Sequence, residues 1–389
     1  AAYLVPDASI DPFGLSLAMM AQAERCGARL MRRTEVVGFE RAGDKIAAVR
    51  LRHSRTGEVR LVAADLVVNA AGAWARGVAQ LAGPDVPMLF SKGTLVVTHA
   101  RLAYRVLNRL RPPGDADIIM PGGTVSIAGT TSLTIDDLAD VRPTVPEVDL
   151  IIEESSALLP ALRETRCIRA YAGVRPLVAS GPAADGRGVS RGFALLDHEQ
   201  EGVANLFSIT GGKLTTCRLM AERTADLVCA RLGVSTPCRT RSEPLAPTAG
   251  GEWTEPGFGP RAWMRAQAPD DALLCECEMV SQSALDRIAS ALGPDGHDGV
   301  LTDLALRSRL GKGACQGTFC AVRVIAHLYE QGVLRGDQGL REQREFFRER
   351  WRGQQAVLWG EQLGQVELAE AIHCGLHGYE LRRQTAVRP

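Results

Sequence analysis

Apolar and polar positions along the first half of the chain switch repeatedly between the helical period and the strand period, which predicts a mixed α/β body. The opening stretch predicts a helix over 11–27, with Asp11 as N-cap, Pro12 in the first turn and Gly27 as the stop. Strands are predicted over 29–39, 46–53 and 58–62, with a turn at Arg55-Thr-Gly57. A buried apolar strand then runs through Asp65-Leu-Val-Val-Asn69 into small residues and a helix. The same grammar returns at Asn205-Leu-Phe-Ser-Ile-Thr-Gly-Gly-Lys-Leu-Thr-Thr216: an apolar strand, two glycines, and a helix to about 232.

Between these two units the pattern is β-rich, with strands at 93–99, 118–120, 124–131 and 168–173. Gly173 and Pro176 are read as a turn that ends the last of these and presents Arg175. Proline and glycine mark 236–260 as a linker, and helices follow at 281–292, 317–329 and 338–351. In the last, Phe346, Phe347 and Trp351 form an apolar stripe that suits core packing or a neighbour.

The pattern divides the chain into 1–85, part of a nucleotide-binding domain; 86–192, a β-rich domain; 193–236, a return to the first domain; 237–270, a linker; 271–331, a small helical module; and 332–389, a helical tail. Composition alters this little. The 389 residues hold 45 basic and 45 acidic side chains, so no global charge calls for nucleic acid or an anionic surface. No apolar run reaches the length of a membrane span and no signal peptide is evident, which predicts a cytoplasmic protein. Six of the ten cysteines show no disulfide-scaffold spacing.

The other four are grouped. Cys275-Glu-Cys277 and Cys315-Gln-Gly-Thr-Phe-Cys320 lie within 46 residues, and the glycines around the second pair free backbone amides to donate to sulfur. Soft thiolate ligands suit a 2Fe-2S cluster or zinc, and buried cysteines without metal are the third reading. Spacings other than C-x2-C, with His297 as the single histidine between the pairs, weigh towards the cluster.

The two strand-glycine-helix turns suit a nucleotide cofactor. Small residues at Ala70, Ala71 and Gly72 let a ligand approach the backbone, and a helix N-terminus behind Gly211 and Gly212 carries partial positive charge, to which Lys213 adds. Ordinary tight strand-helix packing is the plain alternative.

Asn69-Ala-Ala-Gly-Ala-Trp74, Ser91-Lys-Gly-Thr94, Gly129-Thr-Thr131, Gly173-Val-Arg-Pro-Leu177, Ser190-Arg-Gly-Phe-Ala-Leu-Leu-Asp-His198 and Thr210-Gly-Gly-Lys-Leu-Thr-Thr216, in this order, resemble the FAD-dependent glycerol-3-phosphate dehydrogenases. With the four cysteines, the chain is most similar to the A subunits of the anaerobic bacterial enzymes, whose C-terminal part resembles the bacterioferritin-associated ferredoxin module. The resemblance runs from residue 1 to about 363. It implies a partial glutathione-reductase-like FAD-binding domain, an antiparallel β-rich substrate domain and a small helical iron-sulfur domain, α/β plus α+β in class.

It also implies roles for residues. Arg175, Arg191 and Lys213 take the catalytic positions; Lys92, Gly93, Thr130 and Thr131 line the substrate pocket. Val36, Ala70, Ala71, Gly72, Trp74, Gly211, Gly212, Lys213, Leu214, Thr215 and Thr216 contact FAD. Cys275, Cys277, Cys315 and Cys320 hold a 2Fe-2S cluster. His198 invites a general-base reading, but a lone histidine is more often structural. The implied reaction oxidises sn-glycerol 3-phosphate to dihydroxyacetone phosphate, with partner subunits passing electrons to a membrane quinone and the chain peripheral to the inner membrane through them. A flavin-dependent amino-acid or glycine oxidase and a non-catalytic electron-transfer fragment are the other expectations. The family's GxGxxG fold has no counterpart here, which predicts poor FAD affinity for the 389 residues alone.

Overall fold

The computed structural model describes residues 2–6, 8–178, 192–246, 258–292 and 299–379. Helix α1 (Pro12–Arg25) starts where Asp11 accepts a hydrogen bond from the Phe13 amide at 3.0 Å, with proline in the first turn. Strands β1 (Thr34–Ala42), β2 (Lys45–His53) and β3 (Val59–Ala63) form an antiparallel meander. Strand β1 begins at Thr34 rather than residue 29.

Strand β4 (Val67–Asn69) leads through a 3-10 turn, Gly72–Trp74, into α2 (Ala75–Gln80). The central sheet contains β5 (Met88–Thr98), β6 (Leu107–Asn108), β7 (Ile118–Gly122), β8 (Val125–Gly129), β9 (Leu133–Ile135) and, after α3 (Val145–Ser156), β10 (Cys167–Val178). Its order is β10-β5-β8-β7-β6, with β9 also on β5, and every pairing is antiparallel. Alternation puts Val96, Ala128 and Ala170 on one face, against Val148 and Ile151 of α3.

Strand β11 (Phe193–Asp197) and β12 (Leu206–Gly211), followed by α4 (Cys217–Arg231), return the chain to the first domain. Strand β12 lies between β11 and β4 and pairs parallel with β4, Ser208 opposite Asn69. Buried Asn205 locks this return. Its Nδ2 donates to the carbonyls of Ile46 and Asp65, and its Oδ1 accepts from the Ile46 amide at 2.8 Å. One buried side chain thus ties the meander to the parallel pair through three hydrogen bonds.

The C-terminal part contains α5 (Phe258–Ala266), β13 (Leu273–Cys275), β14 (Val280–Ser281), α6 (Gln282–Leu292), α7 (Val300–Arg307), α8 (Cys320–Glu330), α9 (Gln338–Gln354) and α10 (Glu361–His377). Two expectations are corrected here. The linker contains α5, anchored by Trp263, whose Nε1 donates to the Asp271 carbonyl at 2.8 Å. The boundary at 331 is not a break in packing: Phe346, Phe347, Cys374 and Tyr379 share one core with Leu285, Leu301, Leu304 and Val324. The aromatic stripe of α9 is core, because amphipathic helices this short need a common apolar face to be stable.

Ion pairs dock this module on the rest. Arg55 reaches Glu342 and Glu345, Arg32 and Arg33 reach Asp303, and Arg169 reaches Glu349 at 2.8 Å. Arg309 donates to Glu278 and to the Gly122 carbonyl, and Thr124 donates to the other Glu278 oxygen, which seats the cysteine region on the β7–β8 hairpin.

Candidate functional site

Strand β10 does not turn at Gly173. It continues to Val178 against β5, with Gly173 opposite Gly93 and Arg175 opposite Ser91. Pro176 is tolerated because β10 is the outer strand of its sheet, where a missing amide hydrogen breaks no ladder. Directly paired residues point to the same face, so Arg175 lies over Ser91 and Gly93 on the face away from α3.

The guanidinium is held by a polar frame. Nη1 donates to Ser91 Oγ at 3.4 Å and to the Thr131 carbonyl at 3.3 Å, and Nη2 donates to Thr130 Oγ1 at 2.8 Å. Gly93 leaves the room: a Cβ there would stand 2.5 Å from Thr130 Oγ1 and inside the guanidinium. Gly93→Ala is therefore expected to displace Arg175 and to cost about 1–3 kcal/mol by overpacking. An unchanged melting temperature in that variant would show that the space is not needed.

Lys92 belongs elsewhere. Paired with Val174, it faces α3, where Nζ donates to Glu147 Oε2 at 2.8 Å and to the Arg142 carbonyl at 3.0 Å. Lys92 and Glu147 are 8 % and 4 % exposed. Thr94 and Thr131 donate to the second oxygen of Glu147, and the Thr144 amide and hydroxyl to the first. The expectation that Lys92 lines the substrate pocket is corrected on this geometry, and the hydroxyl of Thr131 is likewise engaged with Glu147. Burial pushes the Glu147 carboxyl up, but hydrogen bonds from Lys92, Thr94 and Thr144 outweigh it and carry the group below its ordinary value.

The two glycine turns come side by side, because β4 and β12 are parallel neighbours and the turn after Asn69 runs along the last residues of β12. Asn69 Nδ2 donates to the Ala75 carbonyl at 2.8 Å and to Ser208 Oγ at 3.0 Å, while its Oδ1 accepts from the Ala71 amide. Thr210 Oγ1 donates to the Gly72 carbonyl at 3.4 Å, closing the seam. Gly211 and Gly212 have φ of +80° and +73°. A Cβ on Gly211 would meet the Gly192 carbonyl at 2.7 Å and Val178 at 3.0 Å, so the end of β10 abuts this turn. Arg175 is three residues up the same strand, about 10 Å away.

Lys213, Leu214 and Thr215 are exposed beside the turn, and Thr216 Oγ1 accepts from the Lys213 amide at 2.9 Å. Ala70 and Trp74 are exposed at the neighbouring turn. Val36 lies in the separate meander, paired with Leu51. His198 is fully buried, with Nε2 2.8 Å from Ser208 Oγ and Nδ1 2.8 Å from Glu201, a structural role. Arg191 lies outside the described residues.

The four cysteines converge. The sulfurs of Cys275 and Cys277 are 3.8 Å apart and those of Cys277 and Cys315 3.7 Å. Hydrogen bonds from the Cys277 and Cys320 thiols, and the amides of Gly311 and Glu278, carry the Cys275 thiol well below its ordinary value. Cys315 is carried down likewise by the same two thiols and the amides of Gly317 and Phe319. The same pairings push Cys277 and Cys320 up. Gly313 makes room for sulfur, since a Cβ there would lie 2.7 Å from Cys277 Sγ. Among the described residues no three ligand-type side chains form a finished metal shell. The fit to a metal rests on four soft donors and the amides aimed at them.

Several functional side chains escape sequence reading. Glu147 carried a usable signal, Thr144 three residues before a glutamate at a helix start. Arg309 carried none, because docking alone brings it to Glu278 and the Gly122 carbonyl.

Comparison with known proteins agrees with this layout. The family model for the FAD dependent oxidoreductases (DAO) matches residues 1–227. The A subunit of the anaerobic glycerol-3-phosphate dehydrogenase of Escherichia coli (strain K12) is 39% identical over 404 aligned positions, covering 98% of this chain and 74% of that protein. The corresponding A subunit of Haemophilus influenzae is 38% identical, covering 97% and 70%. The X-ray structure of a glycerol-3-phosphate dehydrogenase from Bacillus halodurans complexed with FAD superposes with a TM-score of 0.61 at 21% identity, over 90% of this chain and 74% of that one. The match in sequence extends through the parallel seam, the Arg175 strand and the cysteine module alike. The chain belongs to the FAD dependent oxidoreductases, within the family of the anaerobic glycerol-3-phosphate dehydrogenase A subunits.

Proposed function

We propose that this chain oxidises sn-glycerol 3-phosphate to dihydroxyacetone phosphate, with Arg175 receiving the phosphate. The observation that carries this is a forked cation held over Gly93, about 10 Å along the strand from two adjoining glycine turns. A guanidinium held by Ser91, Thr130 and Thr131 is oriented before substrate arrives, so little freedom is lost on binding. Arg191 joins it by motif position.

FAD, when bound, would supply the hydride acceptor for C2, and a 2Fe-2S cluster would supply a one-electron exit. The chain's residues supply the setting. Ala70, Ala71, Gly72, Trp74 and the Gly211–Thr216 turn would hold the flavin, with Lys213 adding positive charge at a helix start where negative charge gathers on reduction. Val36 would meet the adenine end. Loss of the alcohol proton accompanies hydride departure, so C2 becomes a carbonyl and the substrate gives up two electrons. Cys275, Cys277, Cys315 and Cys320 would hold the cluster. Electrons leave through partner subunits to a membrane quinone, the chain being cytoplasmic and peripheral; no helix among its described residues is long and apolar enough to cross a membrane.

The test is dye reduction by the assembled enzyme with glycerol 3-phosphate, glycine or D-amino acids as donor. Turnover confined to amino acids would assign the arginine to a carboxylate instead. Zinc is a second reading of the cysteines, favoured by the 3.7 Å separation between Cys277 and Cys315, because thiolates around one ion at about 2.3 Å stand nearly that far apart. Anaerobic reconstitution with iron and sulfide is expected to produce visible 2Fe-2S absorbance that Cys277→Ser and Cys315→Ser bleach. A colourless protein holding stoichiometric zinc would reverse the assignment.

A further inference from the structure

The cysteine loop is bordered by cations that the reaction above does not use. Arg309 is balanced by Glu278 at 2.5 Å. Lys312 and Arg350 are different: among the described residues neither has a carboxylate within ion-pair distance. Lys312 sits inside the Gly311–Cys320 loop, with Nζ donating to the Ser308 carbonyl at 2.6 Å and lying 4.6 Å from the centre of the Phe13 ring. Arg350 stacks at 4.8 Å on Phe346, and its Nε is buried with no hydrogen-bond partner. The Phe346 ring presses on Gly311 and Gly317, whose φ values of +66° and +91° shape the loop around Cys315. Burial pulls both cations down; Arg169 opposes the charge of Arg350 while Cys320, Glu349 and Cys315 favour it, and Arg309 and Arg350 oppose that of Lys312 while Asp11 and Glu278 favour it.

Both cations are half-buried, with Arg350 Nε fully so, and neither has an ion-pair partner among the described residues, so a negative charge placed beside them is favourable. Thiolates supply it, most fully when all four cysteines are deprotonated around a metal. We propose that Lys312 and Arg350 form a two-cation cradle that compensates the net negative charge of the metal-thiolate centre and thereby raises its reduction potential. The inference rests on the four cysteines forming such a centre. An oxidised 2Fe-2S cluster on four thiolates is a dianion and gains another negative charge on reduction, so nearby cations stabilise the reduced form more. Phe346 fixes the distance, stacking under the guanidinium while packed on the loop glycines. Lys312 and Arg350 are positioning residues, touching neither substrate nor metal.

The experiment is a redox titration of the reconstituted full chain, followed by EPR and visible absorbance, for wild type, Lys312→Met, Arg350→Met, the double variant and Arg350→Lys. The double variant is expected to shift the oxidised-to-reduced equilibrium at least tenfold towards oxidised, about 59 mV for one electron, with Arg350→Lys close to wild type. A merely structural role would change cluster yield or melting temperature and leave the potential in place, and an unmoved potential overturns the proposal. Where wild type takes up no iron-sulfur cluster, that assignment fails separately, and cobalt(II) affinity, read from thiolate-to-cobalt absorbance, decides the cradle. Tenfold weaker cobalt binding in the double variant supports it, and unchanged binding overturns it.

Discussion

Replacing Arg175 by alanine in the assembled enzyme is expected to lower kcat/KM for glycerol 3-phosphate by about 10²–10⁴, while activity with glycerol changes little. The size follows from two charge-assisted hydrogen bonds to phosphate at roughly 1.5–3 kcal/mol each, with about 1.36 kcal/mol per tenfold in rate. Arg175→Lys should recover part of the loss, because a point charge remains but the fork that matches two phosphate oxygens does not. The substrate comparison separates phosphate recognition from damage to the sheet, since a misfolded pocket would lose both activities. Equal losses with glycerol and glycerol 3-phosphate would remove Arg175 from the phosphate site.

Glu147→Gln is expected to destabilise the central sheet by about 3–5 kcal/mol at neutral pH, the range for breaking one side of a buried ion pair. The variant leaves Lys92 buried without its partner and weakens the bonds from Thr94, Thr131 and Thr144. A pH series checks the cause. Because the folded carboxyl lies below its ordinary value of 4.5, its stabilisation is present above the unfolded value and is lost as pH falls through the folded one. Melting temperatures of the parent should therefore drop more steeply with acid than those of Glu147→Gln. Parallel curves would mean the pair is not what holds α3 on the sheet.

Much of the layout was legible from local pattern. Asp11 and Pro12 announced α1, the turn at Gly57 announced the β2–β3 hairpin, and the two strand-glycine-helix units marked both halves of the parallel seam. Each signal is short-range, residing in a cap, a turn or a period. Arg175 was recognised by its motif but misplaced at a turn, because proline reads locally as a breaker and its tolerance on an outer strand depends on sheet order. Lys92 was misassigned for a related reason. Its motif neighbours Gly93 and Thr94 alternate in direction, and only the pairing with Val174 shows which face α3 covers.

The cysteine module makes the same division. Residue type and spacing picked out Cys275, Cys277, Cys315 and Cys320, because ligand chemistry is a property of side chains. Their meeting, with Glu278 and Arg309 docked on the β7–β8 hairpin, joins parts of the chain that lie far apart in sequence. The chain's own order thus sets helices, strands, the glycine turns and the chemistry on offer, all governed by a few neighbouring residues. How Arg175 is framed over Gly93 and which lysine is spent on a buried carboxylate were settled by strand register and packing. Those depend on long-range burial and charge pairing, which no local window of sequence contains.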